Sequence, residues 1–386
     1  MQLINEIVSQ AAELTALRRD IHAHPEIGFQ ERRTSALVAD RLRAWGVDEV
    51  ATGLGGTGVV GVIHGRGPGR TIGLRADMDA LPMEEQTNLG WRSTRSGVFH
   101  GCGHDGHTAM LLGAAQYLAR TRNFAGTAHL IFQPAEEGLG GAAAMIADGL
   151  FDRFACDEVY ALHTWPQAEL GWVGTTPGVA LAASNNLDIA IEGRGAHGAM
   201  PQDSVDPVMV AVTLAQALQT VVSRNVDPRQ PVVLTITQIH AGSAYNVIPD
   251  RAVMTGTIRS FDPEVQALVV RRIRDLADGI AAGFGATARV SVNEGYPALR
   301  NAPEQTADAI RIAGGIVGEA RVDGNAPRLT GSEDFSFMLN RAPGAFLWLG
   351  QGQGPSLHNP AFDFNDEAIP IGATILARLV EDRSGA

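Results

Sequence analysis

Apolar residues near the start of the chain fall at helical spacing: Leu3, Ile7, Ala11 and Leu14 alternate with Asn5, Glu6, Gln10 and Glu13. Steps of three and four predict an amphipathic surface helix from Met1 to about Arg19. A second helix is expected from about Gln30 to Trp45, closed by Gly46, because glycine readily takes the left-handed conformation that ends helices. The pattern then changes to short continuous runs at Val59–Ile63, Thr71–Arg75, Ala128–Phe132 and Glu158–Leu162. Runs of that length, rich in β-branched residues and bounded by turns, read as buried strands. An apolar helix from Thr108 to about Arg120 and a small-residue helix from Gly141 to about Asp148 separate them. Strands alternating with helices predict an α/β domain whose mixed, mostly parallel sheet is covered by helices on both faces.

From about Ser184 the order changes. A strand (Leu187–Ile191), a helix (about Asp206–Ser223), two strands (Val232–Ile239, Val253–Ile258), a helix (about Pro263–Ala282) and a strand (Ala288–Val292) follow one another. That β-α-β-β-α-β order is the ferredoxin-like module, so residues 184–294 read as an inserted α+β domain. Residues 1–183 and 295–386 then form one discontinuous domain, closed by a helix around Glu304–Val317, a strand at Ala345–Leu349 and a helix from about Asp366 to Arg378.

Composition narrows the function. A chain of 386 residues that is 45% hydrophobic can bury two cores. No apolar run reaches membrane-spanning length, and the N-terminal helix lacks the basic start and apolar centre of a signal peptide. The expected compartment is the cytoplasm. A net charge of −12 argues against a nucleic-acid partner, which calls for a basic surface. Two cysteines, Cys102 and Cys156, do not make a disulfide framework. All thirty basic residues are arginine. Without lysine, pyridoxal-phosphate Schiff-base enzymes, P-loop NTPases and protein kinases are excluded together. Gly53–Gly58 matches G-x-G-x-x-G, but strand-like Val59–Ile63 follows where a helix N-terminus is required. With the turn Gly65-Arg66-Gly67-Pro68-Gly69 after it, the stretch reads as hairpin chemistry.

Candidate chemistry centres on His100-Gly101-Cys102-Gly103-His104-Asp105-Gly106-His107, which leads into the apolar helix. A thiol two residues from an imidazole suits a borderline-soft divalent metal, although a glycine turn with incidental polar residues has the same look. The helix dipole just beyond Cys102 is expected to favour its thiolate. Other ligand types arrive at matching strand ends: Glu136-Glu137 after Phe132, His163 after Leu162, and His358 in the glycine-rich loop after Leu349. Successive side chains on an extended segment point oppositely, so one of Glu136 and Glu137 is expected to bind metal while the other reaches a water beside it. A general base next to a Lewis acid is what amide hydrolysis needs. His22-Ala23-His24-Pro25 follows a helix and is stopped by proline, so it reads as a packed or hydrogen-bonded turn more readily than as a ligand pair.

Several stretches together carry a resemblance: Arg18-Arg19-Asp20-Ile21-His22-Ala23-His24-Pro25-Glu26, Leu74-Arg75-Ala76-Asp77-Met78-Asp79-Ala80-Leu81-Pro82, Cys102–His107, Pro134-Ala135-Glu136-Glu137-Gly138 and Ala196-His197-Gly198-Ala199-Met200-Pro201. Over nearly its whole length the chain resembles the dinuclear metallopeptidases that include aminoacylases and carboxypeptidase-G-type enzymes. It is most similar to their hippurate hydrolase and indole-acetyl-amino-acid hydrolase branch. The resemblance implies two divalent ions per subunit (Zn, Mn, Co or Ni), bridged by Cys102 and held by His104, Glu137, His163 and His358, with Glu136 as base. Other branches place a histidine ligand where Asp77 stands, so Asp77 and Asp79 are expected to orient ligands instead. The inserted module would be a lid and dimerisation domain whose His197 crosses into the partner's site. Asn246 and Arg259 would bind the carboxylate of an N-acyl amino acid; a guanidinium fork suits that group. The expected assembly is a homodimer or a higher homo-oligomer. The alternatives are a dipeptidase or small-peptide carboxypeptidase with the same apparatus, and a non-catalytic metal-binding dimeric protein.

Overall fold

Four parallel strands organise the first unit of the computed structural model, which describes residues 1–385. They are β3 (Thr71–Asp77), β4 (Thr127–Gln133), β5 (Glu158–Trp165) and a late strand, Gly344–Gly350. β4 and β5 flank β3, and the late strand pairs with β5, all in parallel. Nearly every residue of these strands is buried, as expected of parallel strands covered on both faces. An antiparallel pair, β1 (Glu49–Leu54) and β2 (Gly58–His64), extends the sheet beyond β4. Two-residue strands at Val173–Gly174 and Val322–Asp323 close the other side.

The Gly53–Gly58 run is the turn of the β1–β2 hairpin, with Gly53, Gly55 and Gly56 at φ of 89°, 60° and 92°, where a side chain would be strained. The hairpin expected of this stretch is therefore here, and not at the following turn, Gly65–Gly69. That turn joins β2 to β3, but β4 lies between them in the sheet. Helices α1 (Ala11–Ala23), α2 (Arg32–Ala44) and α3 (His104–Thr121) pack around the sheet with the terminal helix Ala368–Arg383. The N-terminal pattern is thus two helices, a short Asn5–Ser9 turn and α1, and α1 runs on through His22.

The first unit comprises Met1–Ala180, Arg300–Pro327 and Asp334–Ala386; the second comprises Leu181–Leu299 and Arg328–Glu333. The sequence reading left Arg328–Glu333 in the first domain. Ala182 N–H reaches the carbonyls of Leu329 and Gly331 at 3.2 and 3.1 Å, tying that segment to the second unit. There, β6 (Ala183–Glu192), α4 (Pro207–Thr220), β7 (Val232–Ala241), β8 (Arg251–Ser260), α5 (Pro263–Gly283) and β9 (Thr287–Glu294) make a ferredoxin-like fold. The sheet order is β7-β8-β6-β9, all antiparallel. Strict alternation along β6 buries Leu187, Ile189 and Ile191 against Val210 and Leu214 of α4 and Val269 and Ile273 of α5. Asp206 and Asp262 cap the two helices, accepting from Val208 N–H at 2.9 Å and Glu264 N–H at 2.8 Å, with proline in each first turn. β7 is an edge strand with a mostly exposed far half. Among the described residues, no helix is long and apolar enough to cross a membrane.

α3 is buried over almost its whole length and contains Gly106 against the buried ring of Phe364. A Cβ at position 106 would overlap that ring. Gly106→Ala should therefore destabilise the protein by about 1–3 kcal/mol, the range for overpacking a rigid core. Helix propensity alone would give a gain of up to about 1 kcal/mol. Denaturant unfolding of the two proteins decides the sign.

Candidate metal centre

Parallel strands bring their carboxyl ends to one edge of the sheet, where ligands gather in open α/β folds. β3 ends on Asp77, with Asp79 two residues on; β4 runs into Glu136 and Glu137; His163 lies near the end of β5; and His358 follows the late strand. Cys102 comes from the loop before α3 and His104 opens that helix, with Gly103 between them at φ 86°. The structure therefore brings Cys102, His104, Glu136, Glu137, His163 and His358 together. Ligand atoms of Cys102, Glu137 and His358 lie within 4.8 Å of one another, as do those of His104, Glu136 and Glu137, and those of Asp77, His104, His107 and His163.

The Glu136-Glu137 pair is not extended. Ala135 takes φ +53°, uncommon without glycine, and Glu136 opens a short helical turn. Both carboxylates consequently face His104, instead of pointing to opposite sides as the alternation argument required. His358 also sits at φ +60° on a loop, its side chain 53% exposed, while His104 and His163 are buried.

Hydrogen bonds fix each ring. His104 Nδ1 lies 3.1 Å from Asp79 Oδ1, while its Nε2, buried and without a hydrogen-bond partner, is 3.6 Å from Asp77 Oδ2 and 4.0 Å from Glu137 Oε1. Asp79 Oδ2 accepts the Glu137 backbone N–H at 2.9 Å. His163 Nδ1 donates to the Thr164 carbonyl at 2.8 Å and leaves Nε2 facing Cys102 Sγ at 3.5 Å. His358 Nε2 is 3.2 Å from Glu137 Oε1. Beneath them Arg75 reaches Asp77 (2.7 Å), Gln133 (2.8 Å) and Asp334 (3.2 Å).

Electrostatics in this pocket favours positive charge. Burial alone would lower the His104 pKa, but the carboxylates of Asp77, Asp79 and Glu137 hold it at about 10. Burial raises the Asp77 carboxyl, but Arg75, His104 and His107 outweigh it and hold Asp77 well below the usual range. Burial, with His107 and His104 nearby, keeps His163 far below its ordinary value. Cys102 corrects the helix-dipole expectation. Burial first, then Glu137, Glu136 and Asp77, push its thiol well above the ordinary value. A partial dipole charge does not outweigh burial and three carboxylates; a cation would.

His197, Asn246 and Arg259 belong to the second unit. His197 pairs with Val247 in a two-stranded ribbon, and Gly198 N–H donates to the Asn246 carbonyl at 2.7 Å, so His197 and Asn246 are neighbours. Ala199 N–H donates to His197 Nδ1 at 3.1 Å, which puts the neutral ring's proton on Nε2. Arg259, half-buried near the end of β8, donates to Ser332 Oγ at 2.9 Å, and burial pulls its pKa down. His22 is bound to Asp105 (2.8 Å) and Glu85 (3.4 Å), and exposed His24 to the Asp20 carbonyl (2.8 Å), both outside the ligand clusters. Sequence reasoning missed His107 and Thr164. The three-residue step from His104 to His107, which puts both on one helical face, was the available signal.

Comparison with known proteins follows the same lines. Residues 73–382 match the model of peptidase family M20/M25/M40. The chain is similar to a hippurate hydrolase of Campylobacter jejuni, 41% identical over 379 residues and covering 98% of each chain. It is also similar to thermostable carboxypeptidase 1 of Saccharolobus solfataricus, 39% identical over 393 residues and 98% of each chain. Among solved structures, a dinuclear metal-binding peptidase from Bacillus subtilis superposes with a TM-score of 0.85 at 33% identity, covering 97% of this chain and 98% of that one.

Thiol chemistry tests the electrostatic account. Burial also raises Cys156, to about 12, and the thiolate is the reactive form. In native, metal-free protein both free cysteines should react slowly with a disulfide reagent near neutral pH and quickly only after denaturation. A fast native phase of one thiol per chain would show that Cys102 is held as thiolate without a cation.

Proposed function

The chain belongs to peptidase family M20/M25/M40, and from that membership and the strand-end cluster we propose that it is a metal-dependent amidohydrolase cleaving the amide of N-acyl amino acids, hippurate-like compounds among them. One observation carries the reading: a buried imidazole nitrogen without a partner, His104 Nε2, faces the carboxylates of Asp77 and Glu137 in a pocket that also holds a thiol. Soft and borderline donors around excess negative charge fit divalent ions such as Zn, Mn, Co or Ni. Cys102, His104, Glu137, His163 and His358 would hold them. When bound, the ions supply Lewis-acid polarisation of the scissile carbonyl and ease deprotonation of the attacking water.

The chain's own groups do the rest. Glu136, beside the ligand Glu137, takes the proton from the attacking water and returns it to the leaving amine. His197 presents its Nε2–H to the oxygen on which negative charge develops. Asn246 and Arg259 hold the substrate carboxylate, and the partial desolvation of Arg259 strengthens a bidentate pair.

The second unit, read as a lid and dimerisation domain, offers edge strand β7 to a second copy, with Ile239 exposed on it. In that homodimer each site uses the partner subunit's His197. A cytoplasmic location is supported by two unpaired cysteines, which suit a reducing compartment. Dipeptide or small-peptide carboxypeptidase activity remains the second reading, favoured by the carboxypeptidase relative. Assay of N-acyl amino acids against dipeptides, with Zn, Mn, Co and Ni in turn, separates the two. Turnover of neither class with any metal sinks both.

Glu136→Gln should retain bound metal while losing on the order of 10²–10⁴ in rate, the span for general acid–base catalysis. Metal analysis of the purified variant checks the first half, and metal loss would make Glu136 a ligand. Shared sites make a further prediction. Inactive Glu136→Ala and His197→Ala homodimers, mixed under subunit exchange, should recover roughly a quarter of full activity, because half the dimers are mixed and half of their sites carry neither lesion. Verified exchange with no recovery would put His197 in the same chain's site or outside it.

A further inference from the structure

His107 stands in the same close cluster as Asp77, His104 and His163, and proximity alone would count it a ligand. We propose that it is instead a positioning residue, which holds Asp77 and, through Thr164, sets the ring of His163 for the metal; this rests on the metal-centre reading above. Both of its nitrogens are already committed. Nδ1 lies 2.6 Å from Asp77 Oδ1, and Nε2 lies 2.9 Å from the backbone nitrogen of Thr164. A backbone N–H can only donate, so Nε2 must supply the lone pair and the proton must sit on Nδ1, directed at Asp77. No lone pair is left for an ion.

The effect passes through one residue of β5. With its N–H taken by His107 and its hydroxyl donating to Gln351 Oε1 at 2.8 Å, Thr164 is held at two points. Its carbonyl then receives His163 Nδ1–H at 2.8 Å, which leaves the lone pair on Nε2, beside Cys102 Sγ at 3.5 Å. The two rings lie against each other, with centroids 4.3 Å apart. His107 therefore ties the end of β3, through Asp77, to the end of β5, through Thr164. His104, three residues earlier and equally buried, differs in the decisive respect: only its Nδ1 is engaged, and its Nε2 has no partner.

The test is cobalt(II) titration of metal-free protein, followed through the visible and cobalt–thiolate absorption bands, for wild type, His107→Phe and His107→Gln. Phenylalanine fills the space without either polar contact. Glutamine keeps an acceptor for the Thr164 N–H and loses the donor to Asp77. Removing a group that orients a ligand typically weakens metal binding by about 10- to 100-fold. His107→Phe should show that loss with the same number of ions at saturation and an altered thiolate band, and His107→Gln should recover part of it. If the phenylalanine variant does not fold, the glutamine variant decides alone, with a loss of about tenfold expected. Unchanged affinity in a folded variant overturns the proposal, and so does the loss of one ion at saturation, which would make His107 a ligand. A wild-type protein that takes up no cobalt overturns the metal reading itself, an outcome distinct from the other two.

Discussion

Burying negative charge at the open end of a parallel sheet is the constraint on which this molecule depends. Asp77, Asp79, Asp105, Asp334 and Glu136 are all buried in the first unit. Each buried ion costs several kcal/mol unless it is paired and hydrogen-bonded. Arg75 meets much of that demand from within β3, binding Asp77 beside it, Gln133 at the end of β4, and Asp334. Arg18 and His22 do the same for Asp105 from helix α1. β3 and helix α1 thus supply the counter-charge, and the imidazoles of the cluster are set on a framework already fixed beneath them.

From that framework follows a division among the ligand-type residues. His104 and His163 are buried and each is fixed through Nδ1, by Asp79 and by the Thr164 carbonyl. Their free edges therefore have one direction available. Glu137 is held through its backbone by Asp79, so a single carboxylate positions both His104 and Glu137. His358 is the exception, half-exposed on a loop, its backbone N–H anchored on the Gly101 carbonyl at 2.8 Å and its Nε2, not its Nδ1, turned to Glu137 at 3.2 Å. Rigid positions come from strand ends and adaptable ones from loops.

Much of this was legible in the chain. Alternating strand and helix patterns put Cys102, His104, Glu137, His163 and His358 at the ends of strands, and strand ends of a parallel sheet face one way. The order of elements between Ala183 and Glu294 gave the ferredoxin-like module directly. Other features were closed to sequence reasoning for physical reasons. Extended-chain alternation failed at Glu136-Glu137 because Ala135 adopts a left-handed conformation that no residue type there announces. Helix-dipole reasoning failed at Cys102 because burial and neighbouring carboxylates act through the folded structure. His107 was signalled only by its three-residue step from His104, because its partners, Asp77 and Thr164, lie on strands distant in the chain. Arg328–Glu333 was misassigned because its two bonds to Ala182 join positions distant in the chain.

Discontinuity of the first unit has a consequence for biosynthesis. β5 pairs with Gly344–Gly350 across the entire inserted unit, Val159 lying opposite Gly344. As the chain leaves the ribosome, β3, β4 and β5 are present long before that partner, and one side of β5 is an unpaired edge carrying the apolar run Val159–Leu162. Such edges template association with other chains, and contacts of this sequence separation form late. The nascent protein is therefore most prone to aggregate while its second unit is being translated. Cys102, His104, Glu137 and His163 have emerged by then, whereas His358 arrives only after the strand that covers the edge.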